Sequence, residues 1–242
     1  MDRSHYKRFS FDEPWVSKSD IKLYKRCPYA WYLRKIEGLE PEVPEAMSRG
    51  TDFHDWAETI YDKIDGKAIL NGDITVYEEM MKYAPPGQIY ENFAEMEQRR
   101  YERDPTERFF PVKTEEFLYD EDLLFMGTYD RLDKEGEDEY VVVDYKTGQY
   151  KDYKLSDWRF ELYGYKYLIE QNYNFDVNYM CVIVPDSKKY VFEEFKSATQ
   201  KAFFRKIKDV REGILNKVFP ANGHCPYCFM AHSCAERAEQ VK

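Results

Sequence analysis

Hydrophobic positions along the chain recur at spacings that separate strands from helices. Tyr140-Val-Val-Val143 is an unbroken run of strand-favouring residues, which predicts a short strand buried on both faces. Leu123 to Asp133 is a second apolar run, with the turn signal Lys134-Glu-Gly-Glu-Asp138 between the two, so they are predicted to pair as an antiparallel hairpin. Thr114 to Tyr119 precedes them as a first core strand, and Val177 to Val184 and Tyr190 to Phe195 follow as two more. Elsewhere the period becomes helical. Phe53, Trp56, Ala57, Ile60, Tyr61 and Ile64 form one stripe in a helix opened by Gly50-Thr51, with His54 in its first turn. Trp158, Leu162, Tyr165, Leu168 and Ile169 form the apolar face of another, capped by Ser156-Asp157, and a last helix runs from about Ala198 to Val218.

Near the start, Ser17-Lys-Ser-Asp20 matches a capping box and predicts a helix through Ile21 and Tyr24. That helix stops at Cys27-Pro28, because the residue before a proline is driven from the helical region, and Tyr29 to Leu33 opens an aromatic-rich successor. Glu40-Pro-Glu-Val-Pro44 reads as a linker. Between Asp65 and Pro111, the helix-like Tyr77 to Met81, the turn Ala84-Pro-Pro-Gly87 and a mixed-charge helix from Asn92 to Arg103 predict a helical insertion.

Composition narrows this picture. A chain of 242 residues, 43% hydrophobic and 17% aromatic, can bury one sizeable core, and it holds no 18-residue apolar run to span a bilayer. Asp2 to Arg8 is polar and no apolar stretch follows, so no secretory signal is read and an intracellular, cytoplasmic protein without a membrane role is expected. The net charge of −10 opposes non-specific binding to nucleic acid, although basic residues cluster at Lys22, Lys25, Arg26, Arg34 and Lys35 and from Lys201 to Arg211.

The chemistry gathers at the hairpin. Asp144 and Lys146 share one face of the strand end, because side chains alternate with period two. A turn centred near Glu137 pairs residues whose numbers sum to about 274, setting Asp130 opposite Asp144. Two carboxylates that close repel unless a cation sits between them. A second group of ligand-type residues lies in the tail, where Cys225, Cys228 and Cys234 have Cys-x2-Cys-x5-Cys spacing. Without a secretory signal, metal ligation is the expected use of these thiols. The fourth ligand is open: His232 or His224 would complete a zinc site, and Cys27 would give four thiolates suited to a [4Fe-4S] cluster.

Gly127-Thr-Tyr-Asp-Arg-Leu-Asp133 leading into Asp144-Tyr-Lys-Thr-Gly148, with Arg49-Gly-Thr-Asp-Phe-His54 upstream and the cysteines at both ends, resembles the RecB-like PD-(D/E)XK nuclease family in its iron–sulfur branch. By pattern it is similar to CRISPR-associated exonucleases and AddB-type nuclease domains. The resemblance implies an α/β core of a central mixed sheet flanked by helices, with a helical insertion and an iron–sulfur clasp joining the terminal regions. It implies one nuclease domain over 1–242, made of an N-terminal segment (1–48), a helical region with the insertion (49–112), the core (113–218) and a cysteine-rich tail (219–242). His54, Asp130, Asp144 and the Tyr145 carbonyl would hold Mg2+ or Mn2+, Lys146 would act on water and phosphate, and Glu116 would be an auxiliary acid. Cys27, Cys225, Cys228 and Cys234 would hold a structural [4Fe-4S] cluster. Tyr165 and Glu161 match a substrate-contacting Gln-x-x-x-Tyr pattern, from which Glu161 departs, since a carboxylate cannot donate to a phosphate.

The implied activity is a divalent-metal-dependent DNA exonuclease acting on single strands or duplex ends, in repair or recombination, phage DNA processing or CRISPR adaptation, with a helicase or recombination protein as partner. The alternatives are a catalytically silent DNA-binding or docking module and a zinc-stabilised scaffold. No Walker A motif occurs in the chain.

Overall fold

Ser17 and Asp20 close the capping box read in the sequence. The Ser17 hydroxyl accepts from the Asp20 backbone N–H at 3.2 Å, and the Asp20 carboxylate accepts from the Ser17 N–H at 3.0 Å. The structure, a computed structural model, describes residues 10–41, 45–222, 225 and 228–235. The polar opening of the chain, residues 42–44 of the predicted linker and the candidate ligand His224 lie outside the described residues. The chain divides into two compact units. The first comprises the chain up to Pro44, Tyr119–Gly127 and Gln200 onward; the second comprises Glu45–Leu118 and Thr128–Thr199.

In the first unit, the short strand β1 (Val16–Ser17) pairs in parallel with Phe125 and Met126 and leads into helix α1 (Lys18–Arg26). Cys27 ends α1 in an extended conformation and also caps the start of α2 (Pro28–Lys35), so the expected break at Cys27-Pro28 is present. Trp31 is fully buried, donates to Asp20 at 3.1 Å and stacks on Phe219 at 5.8 Å. Tyr24 reaches the Val218 carbonyl, and the Tyr29 N–H donates to the Pro220 carbonyl at 3.3 Å. These contacts bring the chain's late residues onto its first helices.

In the second unit, α3 (Glu45–Lys63) begins five residues before the predicted start, so His54 stands well inside the helix rather than in its first turn. Three further helices follow: α4 (Gly66–Asn71), α5 (Val76–Met81) and α6 (Gln88–Arg103). They lead to strands β2 (Lys113–Asp120), β3 (Phe125–Lys134) and β4 (Glu139–Tyr145), helix α7 (Leu155–Asn172), and strands β5 (Asp176–Val184) and β6 (Lys189–Glu194). Helix α8 (Ser197–Leu215) then enters the first unit. The six-stranded sheet runs β1-β3-β4-β5-β6, with β2 also paired to β3, and is mixed, antiparallel at β3/β4 and β5/β6 and parallel at β4/β5. A parallel pair needs a crossover, and α7 supplies it, packing against both strands. It starts at Leu155, with Lys154 at the cap position and no side-chain cap, so Ser156 lies inside the helix rather than capping it.

The segment predicted as an insertion belongs to the core. Ile69, Val76, Met80, Phe93 and Met96 from α4, α5 and α6 are buried in one cluster with Phe53 and Ile60 of α3 and with Val141, Val143 and Ile183 of the sheet. Alternation puts Val141, Val143 and Tyr145 on that face and leaves Val142 and Asp144 on the other. Among the described residues no helix is long and apolar enough to cross a membrane.

Candidate active site

The β3/β4 register decides which carboxylates can meet. Arg131 pairs with Val143, Leu132 with Val142 and Asp133 with Val141, so paired numbers sum to 274 and one further step sets Asp130 against Asp144. Asp130 lies within β3, and Asp144 is next to last in β4 and only 1% exposed. The Tyr145 N–H donates to Asp130 Oδ2 at 2.7 Å, which fixes that carboxylate across the strand end. His54 approaches from α3, its Nδ1 3.5 Å from the same Asp130 oxygen. Burial alone would lower its pKa, but the hydrogen bond to Asp130 and the charges of Asp130 and Asp144 outweigh that and raise it.

Lys146 stands between two acids. Its ammonium lies 2.6 Å from Asp144 Oδ2 and 2.8 Å from Glu161 Oε2 on α7. Glu161 thus pairs with the lysine rather than facing an open surface, and it is 6% exposed. A glutamine could not supply that charge, which accounts locally for an acid at 161. Tyr165, one turn further on, is 1% exposed, with burial and the charges of Asp144 and Asp130 holding its hydroxyl protonated. It lies behind the carboxylates, not at a surface where an incoming strand would meet it.

The β2 acids differ from expectation. Glu116 accepts from Tyr129 at 2.8 Å and from Tyr173, and Lys113 lies 3.2 Å from it, so it is committed to a separate polar cluster. Its neighbour Glu115 is the acid in the field of Asp130 and His54. Glu115 has φ +37°, a left-handed kink that breaks strand alternation at this point. Burial, a hydrogen bond to Glu58, and the charges of Glu58 and Asp130 push its carboxyl pKa up to about 8, with His54 opposing. Glu58 stands four residues after His54 on α3, hence on the same helix face. That spacing was the signal by which sequence could have found it.

The loop after Lys146 is pinned from two sides. Gly148 N–H donates to Asp186 Oδ2 at 2.5 Å, Tyr150 N–H donates to Ser187 Oγ at 2.8 Å, and Arg49 pairs with Asp186. Gly50 has a specific reason to be glycine, because a Cβ there would come within 3.1 Å of Thr147 Oγ1.

Among the described residues no three His, Cys, Asp or Glu side chains already converge as a ligand set for one ion. The donors nevertheless fit a hard divalent cation in kind: two opposed carboxylates, a neighbouring imidazole and two further glutamates. The cysteines make a different arrangement. Cys27, Cys225, Cys228 and Cys234 all line one cavity of about 50 Å3 in the first unit, walled by Leu23, Ala30, Phe229 and Met230. None of the four forms a disulfide among the described residues, and His232 is exposed and does not line that cavity.

The model of the PD-(D/E)XK nuclease superfamily matches residues 16–235. The crystal structure of a "Putative exonuclease" from Eubacterium rectale superposes with a TM-score of 0.56 at 14% identity, covering 96% of this chain and 93% of its own. A second solved structure, that of SSO0001, superposes at 0.40 with 13% identity, covering 92% of this chain and 86% of its own, a score too low to argue from. No curated protein matches the chain.

Proposed function

Since the chain belongs to the PD-(D/E)XK nuclease superfamily, we propose that it is a divalent-metal-dependent DNA exonuclease with its active site where β3 pairs with the end of β4. The observation that carries this is the grouping of Asp130, Asp144 and Lys146, with His54 alongside, at one end of the sheet. Asp130 and Asp144 are the residues to hold Mg2+ or Mn2+, with His54 and the Tyr145 carbonyl as further donors. Such a cation, when bound, polarises the phosphate and lowers the pKa of a bound water. The Tyr145 N–H keeps the Asp130 carboxylate turned into the site. Glu161 holds the Lys146 ammonium beside Asp144, where it orients water or meets charge developing on phosphate oxygens. Glu115, hydrogen-bonded to Glu58 and with its carboxyl pKa pushed up to about 8, adds a protonated acid beside the site. Asp144→Asn should abolish Mg2+- or Mn2+-dependent loss of labelled DNA while leaving the circular-dichroism spectrum and melting curve nearly unchanged. Wild-type cleavage by that variant would overturn the assignment, and no cleavage by the parent protein on any DNA would favour a silent binding module.

The clasp belongs to the same proposal: Cys27, Cys225, Cys228 and Cys234 hold a [4Fe-4S] cluster. Support comes from the cavity they share and from the exclusion of His232 from it. A cluster needs its thiolates spread around a volume rather than converging on one point, which is the arrangement these four have. Iron content and colour of anaerobically purified protein test it, with one zinc and no iron as the contrary result.

A further inference from the structure

A larger cavity, of about 430 Å3, opens in the second unit on the sheet face that carries Arg131 and Asp133. Strand alternation puts this face opposite Asp130 and Asp144, and no residue proposed for metal binding or catalysis lines the cavity. Its floor follows one rung of the sheet, in which Arg131 pairs with Val143, Val143 with Cys181 and Cys181 with Phe192. Val141 and Cys181 make the centre apolar. Burial pushes the Cys181 thiol pKa up to about 12, so this sulfur is an inert surface rather than a nucleophile. Phe109, Tyr190 and Phe192 add aromatic walls, with Phe192 49% exposed.

Cations crowd the rim of a chain that is otherwise acidic. Arg100, Arg103, Arg108 and Lys134 join Arg131, against Asp104, Asp133 and Glu135. The inner charges are answered: Arg131 lies 3.3 Å from Glu97 and 2.9 Å from Asp133, and Arg100 lies 2.7 Å and 3.7 Å from the same two acids. Although burial would raise it, Glu97 is held at a pKa of about 2 by Arg100 and Arg131, so these two arginines are already engaged by acids within the wall. Arg108 pairs with Asp104 at 2.8 Å. Arg103 and Lys134 have no ion-pair partner among the described residues, and Glu135 is the acid set against them.

We propose that this cavity is a second site, built for a nucleoside phosphate. A base would lie over Val141 and Cys181 between the aromatic walls, and its phosphate would meet Arg103 and Lys134 at the rim. The volume is in the range of small-ligand pockets, about 300–1,000 Å3. The chemistry is that of a mononucleotide, whether free or at the phosphorylated end of a strand.

The test is calorimetry on the full chain without divalent metal, using dAMP, a 5′-phosphorylated oligonucleotide and inorganic phosphate as probes. Saturable binding of dAMP or of the oligonucleotide is expected, with inorganic phosphate weaker by roughly tenfold or more. Whichever of the first two binds more tightly identifies the source of the ligand. Arg103→Glu with Lys134→Glu should weaken nucleotide binding by roughly tenfold or more, and Phe192→Ala should weaken it without changing the response to inorganic phosphate. Asp144→Asn should leave it unchanged, which separates this site from the proposed nuclease centre. No saturable binding at millimolar nucleotide, binding indifferent to the Arg103 and Lys134 changes, or binding lost with Asp144→Asn would each overturn the proposal.

Discussion

Lys146 holds two acids at once, and that double pairing makes opposite predictions for its two neighbours. Its ammonium neutralises Asp144, so it competes with any cation that Asp144 would bind. Lys146→Ala should therefore leave Mg2+ affinity unchanged or higher while turnover at saturating metal falls sharply, measurable by calorimetry and single-turnover kinetics. Glu161→Gln removes the acid that shares the ammonium with Asp144 and leaves its whole charge on Asp144, so metal affinity and turnover should both fall. Glu115 gives a pH signature. Folded, it keeps its proton to about pH 8, whereas its ordinary value is 4.5, so the folded protein binds the extra proton across that window. Stability should be complete below the window and decline as pH rises through it. Its partial solvent access limits the effect to no more than about 2 kcal/mol. Urea melts on either side of the window should show the decline in the parent and a flatter profile in Glu115→Gln. An equal decline in both would assign the pH dependence to another group.

The elements around the site were legible wherever period alone decides. The unbroken Val141-Val-Val143 run and the turn at Lys134–Asp138 specified a register that the β3/β4 pairs reproduce, and Asp130 follows from Asp144 by arithmetic. Period could not say which β2 glutamate faces inward, because the left-handed kink at Glu115 breaks alternation where the choice is made. The start of α3 is hidden for a related reason: Gly50 looks like a helix boundary, yet it is kept inside the helix to let Thr147 approach. The core role of α4, α5 and α6 was hidden because their buried positions are interleaved with charges such as Glu97, whose partner Arg131 lies 34 residues away. The loop between β4 and α7 carries a further expectation. Tyr153 is 76% exposed, beside Lys151 and Lys154, on a turn that leads directly from Lys146 to the helix bearing Glu161. An exposed ring between cations is a stacking platform for a single strand, worth roughly 1–3 kcal/mol per base. Tyr153→Ala should raise KM for single-stranded DNA with kcat little changed, and Tyr153→Trp should restore it. An unchanged KM would remove the ring from the substrate path.

At the scale of the whole molecule, cysteines from early and late in the sequence meet at one cavity. Cys27 sits between α1 and α2, and Cys225, Cys228 and Cys234 follow α8, yet all four line one cavity in the first unit. The sequence between Cys27 and Cys225, about 200 residues, contains all of the second unit. Protein contacts already hold this closure, through the Tyr24 and Tyr29 hydrogen bonds and the stacking of Phe219 on Trp31. A cluster would add a covalent constraint on the unfolded chain. On the chain-entropy account of cross-links, a loop of that length contributes on the order of 5 kcal/mol. That is comparable with the net stability of a typical domain, about 5–15 kcal/mol. The clasp should then matter more to stability than any single packing contact in the first unit. Anaerobically purified protein should be brown, and Cys27→Ala should bleach it and lower its melting temperature, despite the distance in sequence from the other three thiols. Chelating the iron from the parent protein should lower its melting temperature to that of the variant and leave the variant unaffected. A colourless parent with one zinc, indifferent to Cys27→Ala, would place the metal in the tail alone and leave the closure to the aromatic contacts.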